Sequence, residues 1–371
     1  MTDSIDRLLA YQIQSRHFPG ALLHVERAGK VLAHQVAGRM GPDSDEPMHE
    51  AALFRLASLT KSMVTFAALM QVDEGALALD APIADYLPEF AAVRISSGAR
   101  PDRAPTVRDL MRHTSGLAYH WEVPEAHLRE RATQSPFVAR MPCIDARAFV
   151  RDLAALPLVA QPGARFRYGY SSDVLGMIVE KIDGVTLGQA LSKRLFDPLG
   201  MRETGFEVPA SQHARLASAY AADAAWHAMV PGYGMRKPGQ PWMESGGGGL
   251  VATIGDYIKF ARMLANGGRV DGQLLSETLF ADMSRNQLPD GVDGPYAYTG
   301  PGFGFGLGLA VRHDWGSAAI PCFPSEMTWS GISGTAVFVH PGERWFAFAF
   351  TSNMATRMMA RMEFRRGAAL L

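Results

Sequence analysis

The sequence predicts an α+β protein: an antiparallel sheet flanked by helices and interrupted by a mainly helical segment. Three observations predict it. Strand-like runs at 21–26 and 30–37 are separated only by Arg27-Ala28-Gly29, and Thr335–His340 and Trp345–Thr351 only by Pro341-Gly342-Glu343-Arg344. Runs joined this closely read as hairpins, which are antiparallel. Between the two ends, residues 81–183 are helical and loop-rich, with prolines at 82, 88, 101, 105, 124, 136, 142, 157 and 162. Strands at both ends of a helical middle divide the chain into a sheet domain, 1–80 with 184–371, and a mainly helical domain, 81–183.

The elements follow in order. Asp3 or Ser4 caps a first helix with apolar Ile5, Leu8, Leu9 and Ile13, and Pro19-Gly20 ends it. After the first hairpin, a polar stretch at 41–50 leads to Phe54-Arg55-Leu56-Ala57. A helix then places Met63, Phe66, Ala67 and Met70 at helical spacing, with Gly75 near its end. That helix is largely apolar, which predicts a central, buried element. Val107–Met111, 145–154 and 174–182 read as further helices. Residues 303–311 alternate glycine with apolar residues at strand period, the glycines marking close backbone packing. A last helix, 355–371, is expected to turn Met358, Met359 and Met362 to the core and to expose Arg357, Arg361 and Arg365.

Composition narrows the function. The chain is 47% hydrophobic and 20% charged with net charge −1, so no basic field invites nucleic acid. No apolar run is long enough to span a bilayer, and the first residues lack a basic segment followed by an apolar one. A cytoplasmic location is the expectation. Cys143 and Cys322 are too few for a disulfide framework and read as free thiols. The eleven histidines form no His-Glu-x-x-His, so metal ligation is disfavoured. The run 246–249 lacks the Lys-Ser/Thr of a phosphate loop, the glycines at 302, 304, 306 and 308 do not make a dinucleotide fingerprint, and no Gly-x-Ser-x-Gly elbow occurs.

The informative motif is Ser58-Leu59-Thr60-Lys61 at the start of the apolar helix. Residues three apart share a helix face, so the lysine amine reaches the serine oxygen. A serine hydroxyl is a poor nucleophile at neutral pH and needs such a base beside it. Spacing alone is weak, since 6 lysines and 22 serines give roughly 0.4 such pairs by chance. The setting strengthens it. His113-Thr114-Ser115-Gly116-Leu117, Phe166-Arg167-Tyr168-Gly169-Tyr170-Ser171-Ser172-Asp173-Val174-Leu175-Gly176 and Thr328-Trp329-Ser330-Gly331-Ile332 follow in that order.

These four motifs together resemble the serine β-lactamase-like superfamily, which includes class C β-lactamases and penicillin-binding peptidases, and most closely its family VIII carboxylesterases. Leu79-Asp80-Ala81-Pro82, Tyr86-Leu87-Pro88-Glu89-Phe90, Pro198-Leu199-Gly200-Met201 and Gly248-Gly249-Leu250 extend the likeness over nearly the whole chain. The resemblance implies the β-lactamase/transpeptidase fold, no cofactor, and a small-molecule ester as partner. It implies Ser58 as acyl-accepting nucleophile and Lys61 as holder or relay of its proton. Tyr168 would be general base in acylation and acid to the leaving alcohol. A nearby ammonium favours the phenolate and desolvation opposes it, so amine and phenol titrate as one pair. The backbone N–H groups of Ser58 and Ile332 would form the oxyanion hole, each donor worth roughly 3 kcal/mol in the transition state. His113 reads as loop-stabilising, because this mechanism needs no histidine.

Two departures from the β-lactamase pattern select the branch. Trp329 stands where those enzymes carry a lysine or histidine that attracts a substrate carboxylate, and Tyr170 stands where they carry an asparagine. Ser330 follows Trp329, where the esterases often have glycine. Tyr119, Tyr170, Trp329, Ser330 and Gly331 are then the expected substrate-binding residues of an aromatic pocket for small, uncharged, short-acyl or aryl esters. Alternatives stay open at this level. Tyr170 could replace Tyr168 as the functional phenol, and Trp329 could simply fill the core. Arg312 or Arg236 could restore a carboxylate site, giving a β-lactamase or D-amino-acid peptidase. An alcohol could intercept the acyl-enzyme, giving an acyltransferase, or the fold could serve as an inactive scaffold.

Overall fold

The computed structural model describes residues 2–314, 316–317 and 323–371, except positions 136, 139 and 140. Cys322 and Pro136 therefore lie outside the described residues, while Cys143 is a half-buried free thiol. Among the described residues, seven antiparallel strands form the main sheet: β1 (Gly20–Arg27), β2 (Lys30–Gly38), β5 (Phe303–Phe305), β6 (Ala310–Arg312), β7 (Met327–Ser330), β8 (Thr335–His340) and β9 (Trp345–Thr351). Their spatial order is β2-β1-β9-β8-β7-β6-β5, and β3 (Leu53–Arg55) pairs with β4 (Val251–Thr253) in a small second sheet. Both expected hairpins form, and β1 joins the two ends of the chain by pairing Ala21 with Thr351 and Arg27 with Trp345.

The alternation along β9 shows why helices cover both faces. Phe346, Phe348 and Phe350 enter the large core, and Trp345, Ala347 and Ala349 enter a smaller one on the opposite side. Successive strand residues point to opposite faces, so a sheet apolar at every position must be buried twice. The first helix, Thr2–Gln14, and the last, Arg357–Ala368, close the smaller core with Ile5, Leu9, Phe364 and Ala368. Thr2–Gln14 already includes Asp3 and Ser4, so the helix begins before them.

The Thr60–Asp73 helix is buried on every side, as its composition predicts, and packs on the Ser171–Asp183 helix. Within 81–183 the described residues form helices and 3-10 turns without a strand, and helices continue at Leu187–Leu191 and Ala224–Met229 before β4. One hydrophobic cluster includes Phe66, Leu110, Phe149 and Phe350, so the helical stretch and the main sheet share a core.

Two expectations are corrected. Residues 303–311 are not one strand: β5 and β6 form a hairpin that turns at Gly306–Gly308, where Gly308 takes φ +82°. The last helix is also turned the other way. Met358, Met359 and Met362 are 36%, 39% and 44% exposed, whereas Arg361 and Arg365 are 7% and 1% exposed. The reason is a buried acid. Arg365 Nε donates to Glu326 Oε1 at 3.1 Å, with a second, short bond from Nη2 to Oε2, and its guanidinium lies 4.8 Å from the Trp345 ring centroid. A charge so paired and stacked can be buried, while thioethers tolerate the surface.

Candidate active site

Ser58 sits in a 3-10 turn, Ala57–Leu59, between β3 and the buried Thr60–Asp73 helix. The residue before it, Ala57, has φ +47°, a left-handed conformation that costs a residue bearing a Cβ on the order of 1–3 kcal/mol. The surroundings impose it. Ser333 Oγ in the β7–β8 turn donates to Arg55 O at 2.6 Å, and Thr335 Oγ1 at the start of β8 donates to Leu56 O at 2.9 Å. From the other side Leu56 N donates to Leu250 O at 2.8 Å, and Leu250 N donates to Thr60 Oγ1 at 3.1 Å. Gly331 permits the close approach, because a Cβ there would collide with Leu56 O and the Thr335 hydroxyl. Ile332 follows it in the same turn, so the turns carrying Ser58 and Ile332 are tied together.

Lys61 is 1% exposed and its Nζ is the hub of the site. It donates to Ser58 Oγ at 3.3 Å, to Tyr119 OH at 3.1 Å, and through a short bond to the Gly247 carbonyl. An ammonium has three donors, and three acceptors meet them. Losing one proton would turn a lone pair toward Ser58 while two N–H bonds stay in place, so proton exchange with the serine needs no movement of heavy atoms.

Two phenols flank this amine differently. Tyr119 bonds it through oxygen, whereas Tyr168 presents its ring, with Nζ 4.8 Å from the centroid. The Tyr168 hydroxyl instead accepts from the Trp329 indole Nε1 at 3.1 Å, and among the described residues it bonds neither Ser58 nor Lys61. Burial pushes the Tyr119 phenol well above its ordinary range, helped by negative charge on Tyr168 and Asp173, so its proton is firmly held. Tyr170 is 4% exposed behind Tyr119, their rings 4.6 Å apart, and packs on Phe137 and Phe149. Burial likewise raises its pKa, and no hydrogen bond ties it to Lys61.

His113 is buried against Tyr168 with ring centroids 4.9 Å apart. Burial and the Lys61 charge hold its imidazole well below the usual range, so it is a neutral packing element. Among the described residues, no group of three or more His, Cys, Asp or Glu side chains could hold a metal ion, and no helix is long and apolar enough to cross a membrane.

The model of the family described as Beta-lactamase matches residues 5–371. The chain belongs to the Beta-lactamase family. It is 32% identical to Esterase EstB of Burkholderia gladioli over 358 residues, 90% of this chain and 86% of that protein. It is 32% identical to the Lovastatin esterase of Penicillium rubens over 259 residues, 66% of this chain and 62% of that protein. Among solved structures, EstCE1, described as a hydrolase with promiscuous acyltransferase activity, is 26% identical with a TM-score of 0.81 over 99% of this chain and 97% of that one. Simvastatin synthase of Aspergillus terreus, 23% identical with a TM-score of 0.80 over 98% and 97% of the two chains, shares the fold. Family and fold make this chain a serine hydrolase built on the β-lactamase scaffold.

The remaining expected residues divide by depth. Trp329 is 2% exposed and wedged among Tyr168, Tyr298 and Phe305, so it backs the site rather than lining its opening. At the surface, half-exposed Trp121 stacks on Tyr119 at 4.5 Å, a wall that sequence reasoning missed. The two arginines weighed as carboxylate binders are elsewhere: Arg236 lies 3.7 Å from Glu207, both exposed, and Arg312 is buried over the Phe303 ring. The guanidinium beside Ser330 is Arg361, whose Nη1 donates to Ser330 Oγ at 3.0 Å and Tyr298 O at 2.9 Å. Reading the last helix with its arginines outward hid this residue. Asp173, Ser245 and Gly247 were missed as well, although the glycine run at 246–249 marked the place.

Proposed function

We propose that this protein is a serine carboxylesterase of the family VIII type, acting on small, uncharged, short-acyl or aryl esters through an acyl-enzyme on Ser58. The observation that carries the reading is the Lys61 amine bonded to the Ser58 oxygen inside a cage of phenols. Ser58 Oγ attacks the ester carbonyl and its proton passes into the Lys61–Tyr168 pair. The Ser58 and Ile332 amides receive the oxyanion, each donor worth roughly 3 kcal/mol in the transition state. Tyr168 returns a proton to the leaving alcohol, and water then repeats the sequence to release the acid. Tyr168 fits the base role better than Tyr119. The Trp329 indole can only donate, so the Tyr168 oxygen stands as its acceptor, whereas burial keeps Tyr119 protonated. Tyr119 holds the Lys61 amine in place and, with Trp121, forms the aromatic wall.

The pocket chemistry supports a neutral substrate. Trp329 supplies no cation, and the Arg361 guanidinium beside it is buried and commits its donors to Tyr298, Ser330 and Thr328. A β-lactam or D-peptide carboxylate would therefore meet little free charge, and cleavage of such substrates is expected to be weak. Acyl transfer to an added alcohol is the second reading, favoured by the likeness to EstCE1.

The test is intact-mass detection of an acyl adduct over a panel of p-nitrophenyl esters and a chromogenic cephalosporin. Adduct and turnover should vanish in S58A. Y168F should lose on the order of a thousandfold in kcat, the scale of a general base. A cephalosporin preferred by kcat/KM, or an S58A enzyme that still turns over, would overturn the proposal.

A further inference from the structure

We propose that Asp173 is a positioning residue of this site: it fixes the Lys61 amine through Gly247, and its charge sets the pH at which the Ser58 cluster gives up its proton. The inference rests on the esterase reading and deepens it.

Asp173 lies in the first turn of the Ser171–Asp183 helix and is 1% exposed. Its Oδ1 accepts from Ser245 Oγ at 2.6 Å and from the Gly247 amide at 3.0 Å. The carbonyl of that same Gly247 takes the short bond from Lys61 Nζ. Lys61 is thus held by a backbone residue that Asp173 holds in turn. The glycines make this possible: a Cβ on Gly247 would collide with the Asp173 carboxylate, and one on Gly246 with the Ser172 carbonyl. A helix N-terminus and a loop tie would account for Oδ1. They do not account for Oδ2, which is buried and has no hydrogen-bond partner among the described residues.

The groups facing this carboxylate come from four segments. Lys61 is on the Thr60–Asp73 helix, Tyr119 is in the segment after the His113 motif, Tyr170 directly precedes the Ser171–Asp183 helix, and Tyr233 follows the Ala224–Met229 helix. The cation is Lys61. The three phenols are kept protonated by burial and by the Asp173 charge, and His113, which faces Lys61, is neutral. Burial raises the Asp173 carboxyl itself, and the Lys61 charge opposes that. A buried carboxylate beside an ammonium holds the ammonium's proton more tightly. It also makes ionisation of a phenol nearby more costly. Removing its charge must ease proton loss from the cluster, whichever group releases the proton.

D173N tests this because an amide oxygen can keep the Gly247 and Ser245 bonds while losing the charge. The acidic limb of kcat/KM should move to lower pH by about one unit, the scale of one neighbouring charge. D173A should in addition lose on the order of a hundredfold in kcat with KM little changed, because Lys61 is no longer held in register. S245A, which removes one bond but keeps the carboxylate's charge, should leave the limb at or slightly above its wild-type pH. These two conservative variants keep the test readable if D173A melts early. Rates of Ser58 labelling by a fluorophosphonate should follow the same pH shift, independently of deacylation. A D173N limb at the wild-type pH would overturn the proposal. The two readings separate cleanly: S58A that still hydrolyses defeats the esterase assignment, whereas inactive S58A with an unmoved D173N limb defeats only the role of Asp173.

Discussion

Replacing Trp329 by phenylalanine removes one N–H from the Tyr168 oxygen and leaves an aromatic ring in its place. The indole Nε1 lies 3.1 Å from that oxygen, and Trp329 is 2% exposed, so water has little access to replace the lost donor. A hydrogen bond to a charged group contributes roughly 1.5–3 kcal/mol. If the phenolate is formed on the way to the transition state, that loss converts to about 10–150-fold in kcat/KM. The assay is kcat/KM on p-nitrophenyl butyrate from pH 5 to 10, with thermal melts run alongside, because the smaller ring leaves space among Tyr298, Phe305 and Tyr168. Wild-type kcat/KM in a folded W329F would refute Tyr168 as the base and leave Lys61 to act alone.

Other outcomes follow from the same structure. His24 is buried against Phe346 and Phe348, and burial, with the His34 charge, lowers its pKa from 6.5 to about 4. The unfolded chain binds that proton first, so stability is full above pH 6.5 and falls by about 3 kcal/mol as pH drops to 4. Urea midpoints across that window should show the slope, and H24F should flatten it. E326Q strands the Arg365 guanidinium, and removal of one partner of a buried ion pair costs about 3–5 kcal/mol, readable as a lower urea midpoint. G331A should lose on the order of a hundredfold in kcat and lower the urea midpoint, because the new methyl pushes on the Leu56 carbonyl and displaces the Ser58 turn from the Ile332 turn. A G331A enzyme with wild-type kcat would break the link between that close approach and the oxyanion site.

Some of this was legible in the residue string because it depends on neighbours in the chain. β8 and β9 run from Thr335 to His340 and from Trp345 to Thr351, as their composition and the intervening turn indicate. Ser58 and Lys61 had to meet once their segment was helical, since three residues make nearly one turn. The glycines from 302 to 308 were read correctly as sites of close packing, yet the chain reverses among them. A left-handed Gly308 and contact with Thr65 decide that turn, and neither is a local property.

The facing of the last helix shows the limit most clearly. Hydropathy places methionine inside and arginine outside, and here an acid at position 326 on β7's flank reverses the order. Polar side chains are buried only where a partner waits, and the partner's position is a product of the fold.

By itself, then, the chain determined its sheet-helix-sheet plan and the meeting of the Ser58 hydroxyl with the Lys61 amine, because these follow from periodicity and short spacing. Only the tertiary structure decided which phenol oxygen bonds the amine, that Trp329 serves the Tyr168 oxygen, that Arg361 is locked beside Ser330, and that Asp173 stands behind Gly247. Those relations join residues tens to hundreds of positions apart. Their strength comes from burial and geometry, which exist only after the core has closed.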